Sequence, residues 1–261
     1  MENQEHEREV LELAQRLLQG AFWGSPAESY LRDVRRLDPG LAFELGAGYC
    51  GEEFVGRMLD EGIPYHELLS LGFLSLVGIS DDDLALYPQS CGIAPFLLRR
   101  GIEEDEVVKR LSPGRRSYSN WEVPYLALGH AITFPVTDGM HKTIYGRDVR
   151  IDPDAPDGWR TDPDAPDGWR HKWLHGSVAK TDHCFNTDSL GRFPGTPVAV
   201  TEGICDALTL VEMGYPAVIA TMGFTPVWLI EIIACTDRRV LQCFDTDRVG
   251  ERSAFNFTAK L

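Results

Sequence analysis

The N-terminal half of the chain places its apolar residues at the spacing of α-helices. One stripe near the N-terminus follows the helical period: Val10, Leu11, Ala14, Leu17 and Leu18. Ser25 and Pro26 predict the cap and first turn of a second helix over about 26–37. Periodic segments such as EEFVGRMLDEGI and PYHELLSLGFL predict a mostly helical chain from about 51 to 118.

The pattern changes near Tyr125, where apolar runs become short and strand-like. HAITFPVTDG and KTIYGRDVRI flank Asp138-Gly139, a dipeptide typical of hairpin turns. The nine-residue stretch DPDAPDGWR then occurs twice, at 152–160 and 162–170. Its Asp, Pro and Gly content predicts a surface loop, and two copies are too few for a solenoid. Residues 125–195 are therefore expected to form a hairpin and loops.

From residue 196 onward, apolar strand-like runs alternate with helical segments. The runs PVAVT, AVIAT and RVLQCF begin at 197, 217 and 239, and a helical pattern follows each of them. This alternation predicts a βαβαβα parallel sheet. The expected fold class is α/β, with an α+β N-terminal subdomain over 1–195 and a second domain over 196–261.

Acidic residues follow two of these predicted strands. Glu202 comes directly after the first strand, and Asp245 and Asp247 come directly after the third. Asp206 lies in the first turn of the helix after Glu202. Because functional groups of such sheets gather at the carboxyl ends of the strands, we expect these acids to share one crevice. Clustered carboxylates suit a hard cation such as Mg²⁺, whereas the alternative is that each acid caps a helix.

The same segment resembles a Toprim domain, and most closely that of the bacterial-type DNA primases. The family pattern joins an E-G-x-x-D helix, an A-x-x-G turn and a D-x-D-x-x-G segment. It is matched by Glu202, Gly203, Asp206, Ala220, Gly223, Asp245, Asp247 and Gly250. The resemblance implies that Glu202, Asp245 and Asp247 are catalytic. It also implies that these three residues and Asp206 hold Mg²⁺ or Mn²⁺.

The resemblance extends upstream of the acids. AESYLRDVRRLDPGLAFELGAGY, ITFPVTDGMHKTIYGRDV and HKWLHGS resemble successive primase segments. By this match, Arg35, Arg147 and Lys172 occupy basic positions that bind template or nucleotide phosphates. Arginine and lysine neutralise phosphate, and arginine can bind it bidentately.

The function implied is synthesis of short RNA primers on single-stranded DNA by metal-dependent nucleotidyl transfer. The implied partners are a single-stranded DNA template, ribonucleoside triphosphates and a replicative helicase. The family's zinc ribbon has no counterpart here, and no zinc is expected. His171 and His175, with His183 and Cys184 after them, lack a second ligand pair at zinc spacing.

Two further departures affect the expected activity. Asn186 stands where the family carries a second lysine, and His175 stands where it carries an asparagine. The family also has an acidic pair on a fourth Toprim strand, whereas this sequence ends at Leu261. The alternatives are therefore a catalytically incomplete element that binds nucleic acid or a helicase, and a Toprim nuclease that activates water with the same acids.

The acidic composition limits the kind of nucleic-acid binding that we expect. The chain has 25 Lys and Arg against 40 Asp and Glu, a formal net charge of −15. Such a balance is unlike a non-specific nucleic-acid binder, so DNA binding is expected to be salt-sensitive and confined to a local groove. The polar start MENQEHEREV and the absence of a long apolar run predict a cytoplasmic protein without a membrane span.

Overall fold

The computed structural model describes residues 2–51, 53–79, 121–126, 131–149, 172–173 and 183–261. The DPDAPDGWR repeat, the predicted helices beyond 79, His171 and His175 lie outside these residues. The helices are α1 (Glu2–Gly20), α2 (Pro26–Ser29), α3 (Pro39–Glu44), α4 (Phe54–Asp60), α5 (Tyr65–Ser70), α6 (Ser189–Arg192), α7 (Ile204–Glu212), α8 (Val227–Ala234) and α9 (Arg248–Thr258). A π-helical turn, Tyr30–Arg35, continues α2.

The strands form one large mixed sheet and one two-stranded sheet. They are β1 (Gly48–Cys50), β2 (Leu74–Ile79), β3 (Trp121–Leu126), β4 (Ala131–Thr137), β5 (Lys142–Asp148), β6 (Lys172–Trp173), β7 (Cys184–Phe185), β8 (Val198–Thr201), β9 (Ala217–Ala220) and β10 (Val240–Cys243). The large sheet has the order β10-β8-β9-β7-β4-β5-β6, and β1 also pairs with β4. The small sheet is the antiparallel pair β2-β3.

The predicted α/β fold is confirmed. Strand β8 pairs in parallel with both β9 and β10, and α7, α8 and α9 follow the three strands. The predicted hairpin is also present, because β4 and β5 pair antiparallel around a turn in which Asp138 Oδ1 accepts hydrogen bonds from the amides of Met140 and His141. The antiparallel strand β7 bridges β4 and β9, so the hairpin and the parallel strands belong to one continuous sheet.

The helical prediction is wrong at residues 74–79. Helix α5 ends at Ser70, and Gly72 follows with a left-handed φ of 76°. Glycine adopts this conformation without steric cost, which ends the helix. Leu74–Ile79 then pairs with Trp121–Leu126, a partner distant in sequence that helical periodicity cannot reveal.

Both faces of β8 and β9 are buried. Ala199, Val218 and Ala220 pack against α7 and the N-terminal elements, in a core that includes Leu31 and Phe134. The opposite face packs against α8 and α9 in a second core: Val198, Val200, Ala217, Ile219, Leu229, Ile233 and Phe257. This burial holds the carboxyl ends of β8 and β9 rigidly, close to the N-terminal elements. Within the described residues, no helix is long and apolar enough to cross a membrane.

Candidate metal and phosphate site

Glu202 is fixed by backbone hydrogen bonds to the loop after β9. The amide of Thr221 donates to the carbonyl of Thr201 at 2.9 Å, and the amide of Met222 donates to the carbonyl of Glu202 at 2.7 Å. Met222 has a left-handed φ of 58°. These contacts extend the β8-β9 pairing by two residues, so the backbone of Glu202 belongs to the rigid part of the sheet.

The carboxylate of Glu202 is half-buried and carries an orphaned oxygen. Its Oε1 atom is buried and has no hydrogen-bond partner among the described residues. Burial raises the pKa of Glu202, and the negative charges of Asp245, Asp247 and Asp206 raise it further, while a hydrogen bond from Ser253 lowers it. A buried carboxylate oxygen without a partner costs free energy, unless a cation or proton binds there.

Asp206 lies beside Glu202 because α7 starts immediately after it. Gly203 is the N-cap of α7, and Asp206 lies in the first turn. A Cβ at position 203 would lie 2.5 Å from Asp206 Oδ2, so the carboxylate folds back over the helix start. Only glycine leaves room for that arrangement.

Asp245 and Asp247 lie at the end of β10, and both are exposed. Asp247 Oδ1 accepts a hydrogen bond from the amide of Gly250 at 2.8 Å, and the Asp247 carbonyl accepts one from Glu251 at 2.9 Å. Asp247 therefore caps α9, which is the alternative that the sequence left open. Its second carboxylate oxygen is not needed for that bond.

Gly250 determines where Asp245 lies. A Cβ at position 250 would be 2.0 Å from the Asp245 carbonyl oxygen. Real Cβ atoms do not approach backbone this closely, so any larger residue would displace the loop that carries Asp245. This close approach explains why glycine stands at the last position of the D-x-D-x-x-G pattern in this chain.

Three of the four predicted acids line one cavity. Glu202, Asp206 and Asp245 are among the residues around a cavity of about 410 Å³. Within the part of the chain that the structure describes, no group of three His, Cys, Asp or Glu side chains is close enough to hold a metal ion. The orphaned Glu202 oxygen nevertheless fits a hard cation, which prefers carboxylate ligands.

Arg35 lines the same cavity. Tyr30, Phe134 and Tyr145 line the wall around it. Burial lowers the pKa of Arg35, but Cys205, Tyr30 and Asp206 together raise it above its usual value. One predicted phosphate-binding residue is therefore next to the predicted metal-binding acids. The sequence did not single out the aromatic residues of this wall, because they look like ordinary core positions.

Arg147 and Lys172 are placed only by their strands. Arg147 lies on β5, opposite Ile132 of β4, and Lys172 lies on β6, opposite Gly146. Strand β6 is thus next to the strand that carries Arg147. The side chains of both residues are outside the described part of the chain, and their roles stay predictions.

Asn186, which replaces a lysine of the family, has a structural role here. Its backbone is left-handed with a φ of 59°, and its Nδ2 donates to the carbonyl of Val218 at 2.9 Å. This bond ties the end of β7 to β9. Asparagine tolerates the left-handed region better than most residues.

Comparisons with known proteins concern the fold. Residues 199–261 match the family of Toprim-like domains. No curated protein sequence matches the chain. Several solved primase structures share the fold. The DnaG primase catalytic domain bound to ssDNA has a TM-score of 0.60 at 15% identity, over 97% of this chain and 65% of that one.

A second is the Aquifex aeolicus primase (zinc binding and RNA polymerase domains), with a TM-score of 0.62 at 14% identity, over 99% of this chain and 52% of that one. A third is the E. coli primase catalytic core, with a TM-score of 0.60 at 14% identity, over 95% of this chain and 65% of that one. The chain therefore spans between about half and two thirds of the length of these structures. It contains a Toprim-like domain over 199–261 and has the fold of the bacterial DnaG primase catalytic core.

Proposed function

We propose that the chain synthesises short RNA primers on single-stranded DNA by metal-dependent nucleotidyl transfer. The fold supports a primase-like protein, and one observation carries the catalytic part of the proposal. Glu202 presents a buried carboxylate oxygen without a hydrogen-bond partner among the described residues, next to three aspartates. A purely structural acid would be expected to pair its buried oxygen.

The acids around the cavity would hold Mg²⁺ or Mn²⁺. Glu202 and Asp245 supply carboxylates from two strand ends, Asp206 adds a supporting carboxylate, and Asp247 follows Asp245 on the same loop. When bound, the metal would neutralise the triphosphate and favour attack by the 3′ hydroxyl. Glu202, which holds protons more strongly than an exposed glutamate, could also act as the acid or base.

The basic residues would bind phosphate beside the metal. Arg35 lines the same cavity as the acids, so a phosphate bound to it would lie near the proposed metal. Arg147 and Lys172 lie on the neighbouring strands β5 and β6 and would bind template or nucleotide. The net charge of −15 implies that DNA binding is local and weakens with salt.

A single-stranded DNA template is the proposed nucleic-acid partner, and a related primase domain has been solved with ssDNA. Ribonucleoside triphosphates are the proposed substrates, and a replicative helicase is a proposed protein partner. A cytoplasmic location follows from the same proposal.

Primer synthesis on a gel tests the proposed activity. The purified chain is incubated with single-stranded DNA, ribonucleotides and Mg²⁺ or Mn²⁺, beside Glu202→Gln and Asp245→Asn. The proposal predicts short RNA products that each substitution reduces at least a hundredfold, with both variants folded by circular dichroism. Shortened DNA would instead identify a nuclease.

A non-catalytic element that binds DNA or a helicase is the second candidate. It is favoured by the finding that the described acids do not form a three-residue metal cluster. DNA binding without new RNA or shortened DNA, unchanged by Glu202→Gln, would support this candidate.

A further inference from the structure

Tyr30 and Arg35 are joined by a local structure that an α-helix cannot provide. They are five positions apart in the sequence, a spacing that on an α-helix would place their side chains about 140° apart around the axis. The chain from Tyr30 to Arg35 is instead a π-helical turn. Its i→i+5 hydrogen bonds place residues five apart one turn above each other.

The resulting contact is specific. The Nε atom of Arg35 donates a hydrogen bond to the Tyr30 hydroxyl at 2.7 Å, and the guanidinium carbon lies 5.6 Å from the centre of the Tyr30 ring. Tyr30 is only 7% exposed, so its ring is a fixed support. Arg35 is mainly exposed and otherwise free to take many rotamers.

The turn is anchored at both ends. Leu31 and Leu37 are buried, and the amide of Leu37 donates to the carbonyl of Leu31 at 3.0 Å. Arg36, between Arg35 and Leu37, takes a left-handed φ of 57°. A non-glycine residue in this region carries conformational strain, and such strain is retained where the surrounding structure imposes it.

We infer that Tyr30 is a positioning residue, which holds Arg35 so that its two terminal nitrogens meet a phosphate group in the cavity. This inference rests on the proposed function, because it names how the phosphate-binding side of the same site is ordered. The hydrogen bond uses Nε and so does not occupy Nη1 or Nη2, the two nitrogens that would bind the phosphate. Holding a long side chain in place before binding lowers the entropy lost when the ligand arrives.

The phosphate can belong to a nucleotide or to a DNA backbone, and two binding measurements separate them. Dissociation constants are measured for ATP with Mg²⁺ and for a single-stranded oligodeoxynucleotide, using wild type, Tyr30→Phe, Arg35→Ala and the double variant. Tyr30→Phe keeps the ring and removes only the hydroxyl. Tyr215→Phe, on the surface after α7, is the matched control.

The inference predicts that Tyr30→Phe weakens binding of one of the two ligands about three- to tenfold and lowers the melting temperature by no more than about five degrees. Arg35→Ala weakens the same ligand more, and adding Tyr30→Phe to it has no further effect. Tyr215→Phe changes nothing.

Equal binding by wild type and Tyr30→Phe would overturn the inference, as would a Tyr30→Phe effect that persists in full without Arg35. Absence of binding of both ligands to the wild type would overturn it as well. The primer assay on the same proteins separates the two proposals. Primer synthesis unaffected by Tyr30→Phe contradicts only the positioning role, whereas coupled binding without primer synthesis contradicts only the proposed activity.

Discussion

The carboxyl ends of β8 and β10 carry acids of the same predicted site but hold them in different ways. Glu202 follows a fully buried strand, and its backbone bonds to a loop distant in sequence. Asp245 and Asp247 follow an exposed strand at the edge of the sheet, and local contacts with α9 hold them. Acids of the same sequence pattern therefore differ in burial and in the contacts that hold them.

This difference suggests a division of roles. The charged form of the half-buried Glu202 carries an electrostatic cost that a bound cation or a proton would relieve. The β10 acids contribute to local structure as well, since Asp247 caps a helix. Substitutions at the β10 end should thus combine structural and functional effects, whereas substitutions of Glu202 should affect mainly function.

Gly250→Ala should have the largest effect on folding. Its Cβ would meet the Asp245 carbonyl at 2.0 Å, and relieving that overlap requires the backbone to move. We expect a loss of about 2–3 kcal/mol in the free energy of unfolding, measured by urea denaturation. Gly191→Ala is the matched control, because no atom lies within 4 Å of its added methyl group. Equal stability of both variants would mean that the β10 end is not closely packed.

Two substitutions of Asp247 distinguish its helix-capping hydrogen bond from its negative charge. Asp247→Ala removes the acceptor for the Gly250 amide and should cost about 1 kcal/mol of stability. Asp247→Asn keeps an acceptor oxygen and should remain within about 0.5 kcal/mol of wild type, while it loses the charge available to a metal. If Asp247→Asn lowers the melting temperature as much as Asp247→Ala when no metal is present, the capping hydrogen bond does not account for the contribution of Asp247 to stability.

Glu202→Gln should have the smallest effect on stability, and it should stabilise the protein rather than destabilise it. Because burial raises the pKa of Glu202 in the folded state, its contribution to stability is present at low pH and is lost as the pH rises through the folded pKa. Without metal, Glu202→Gln should therefore raise the melting temperature at pH 7 by about one or two degrees. The difference should vanish near pH 4, where the carboxyl is protonated in the folded state.

The exposed residue Glu231 provides the control for this comparison. Glu231→Gln should leave the melting temperature nearly unchanged at both pH values. A Glu202→Gln variant that is less stable than wild type at pH 7 would mean that the glutamate is structural.

Much of the fold is predictable because its strands are short apolar runs between helical segments. The observed bounds of β8, β9 and β10 lie within one residue of the runs PVAVT, AVIAT and RVLQCF. Strand β2 was not predictable, since its pairing with Trp121–Leu126 joins distant segments. The position of β8 between β10 and β9 is likewise a property of tertiary packing.

The candidate site was predicted in its composition but not in its arrangement. Glu202, Asp245 and Asp247 were predicted as site residues from their positions at the ends of predicted strands, and Arg35 from the family resemblance. The hydrogen bond between Tyr30 and Arg35 could not be predicted from the sequence. On an α-helix, residues five positions apart do not lie on the same face, and the contact forms because the turn is π-helical. The capping role of Asp247 was foreseen only as an alternative.

Binding of Mn²⁺ tests the central claim, that Glu202 and the β10 acids form one divalent-metal site. Free Mn²⁺ is measured by electron paramagnetic resonance during titration of wild type, Glu202→Gln, Asp245→Asn and the control Asp237→Asn. Asp237 is an exposed acid before β10, whereas Asp245 follows the strand. The account predicts a site in wild type and Asp237→Asn that either Glu202→Gln or Asp245→Asn weakens at least tenfold. Identical binding by all four proteins would contradict it.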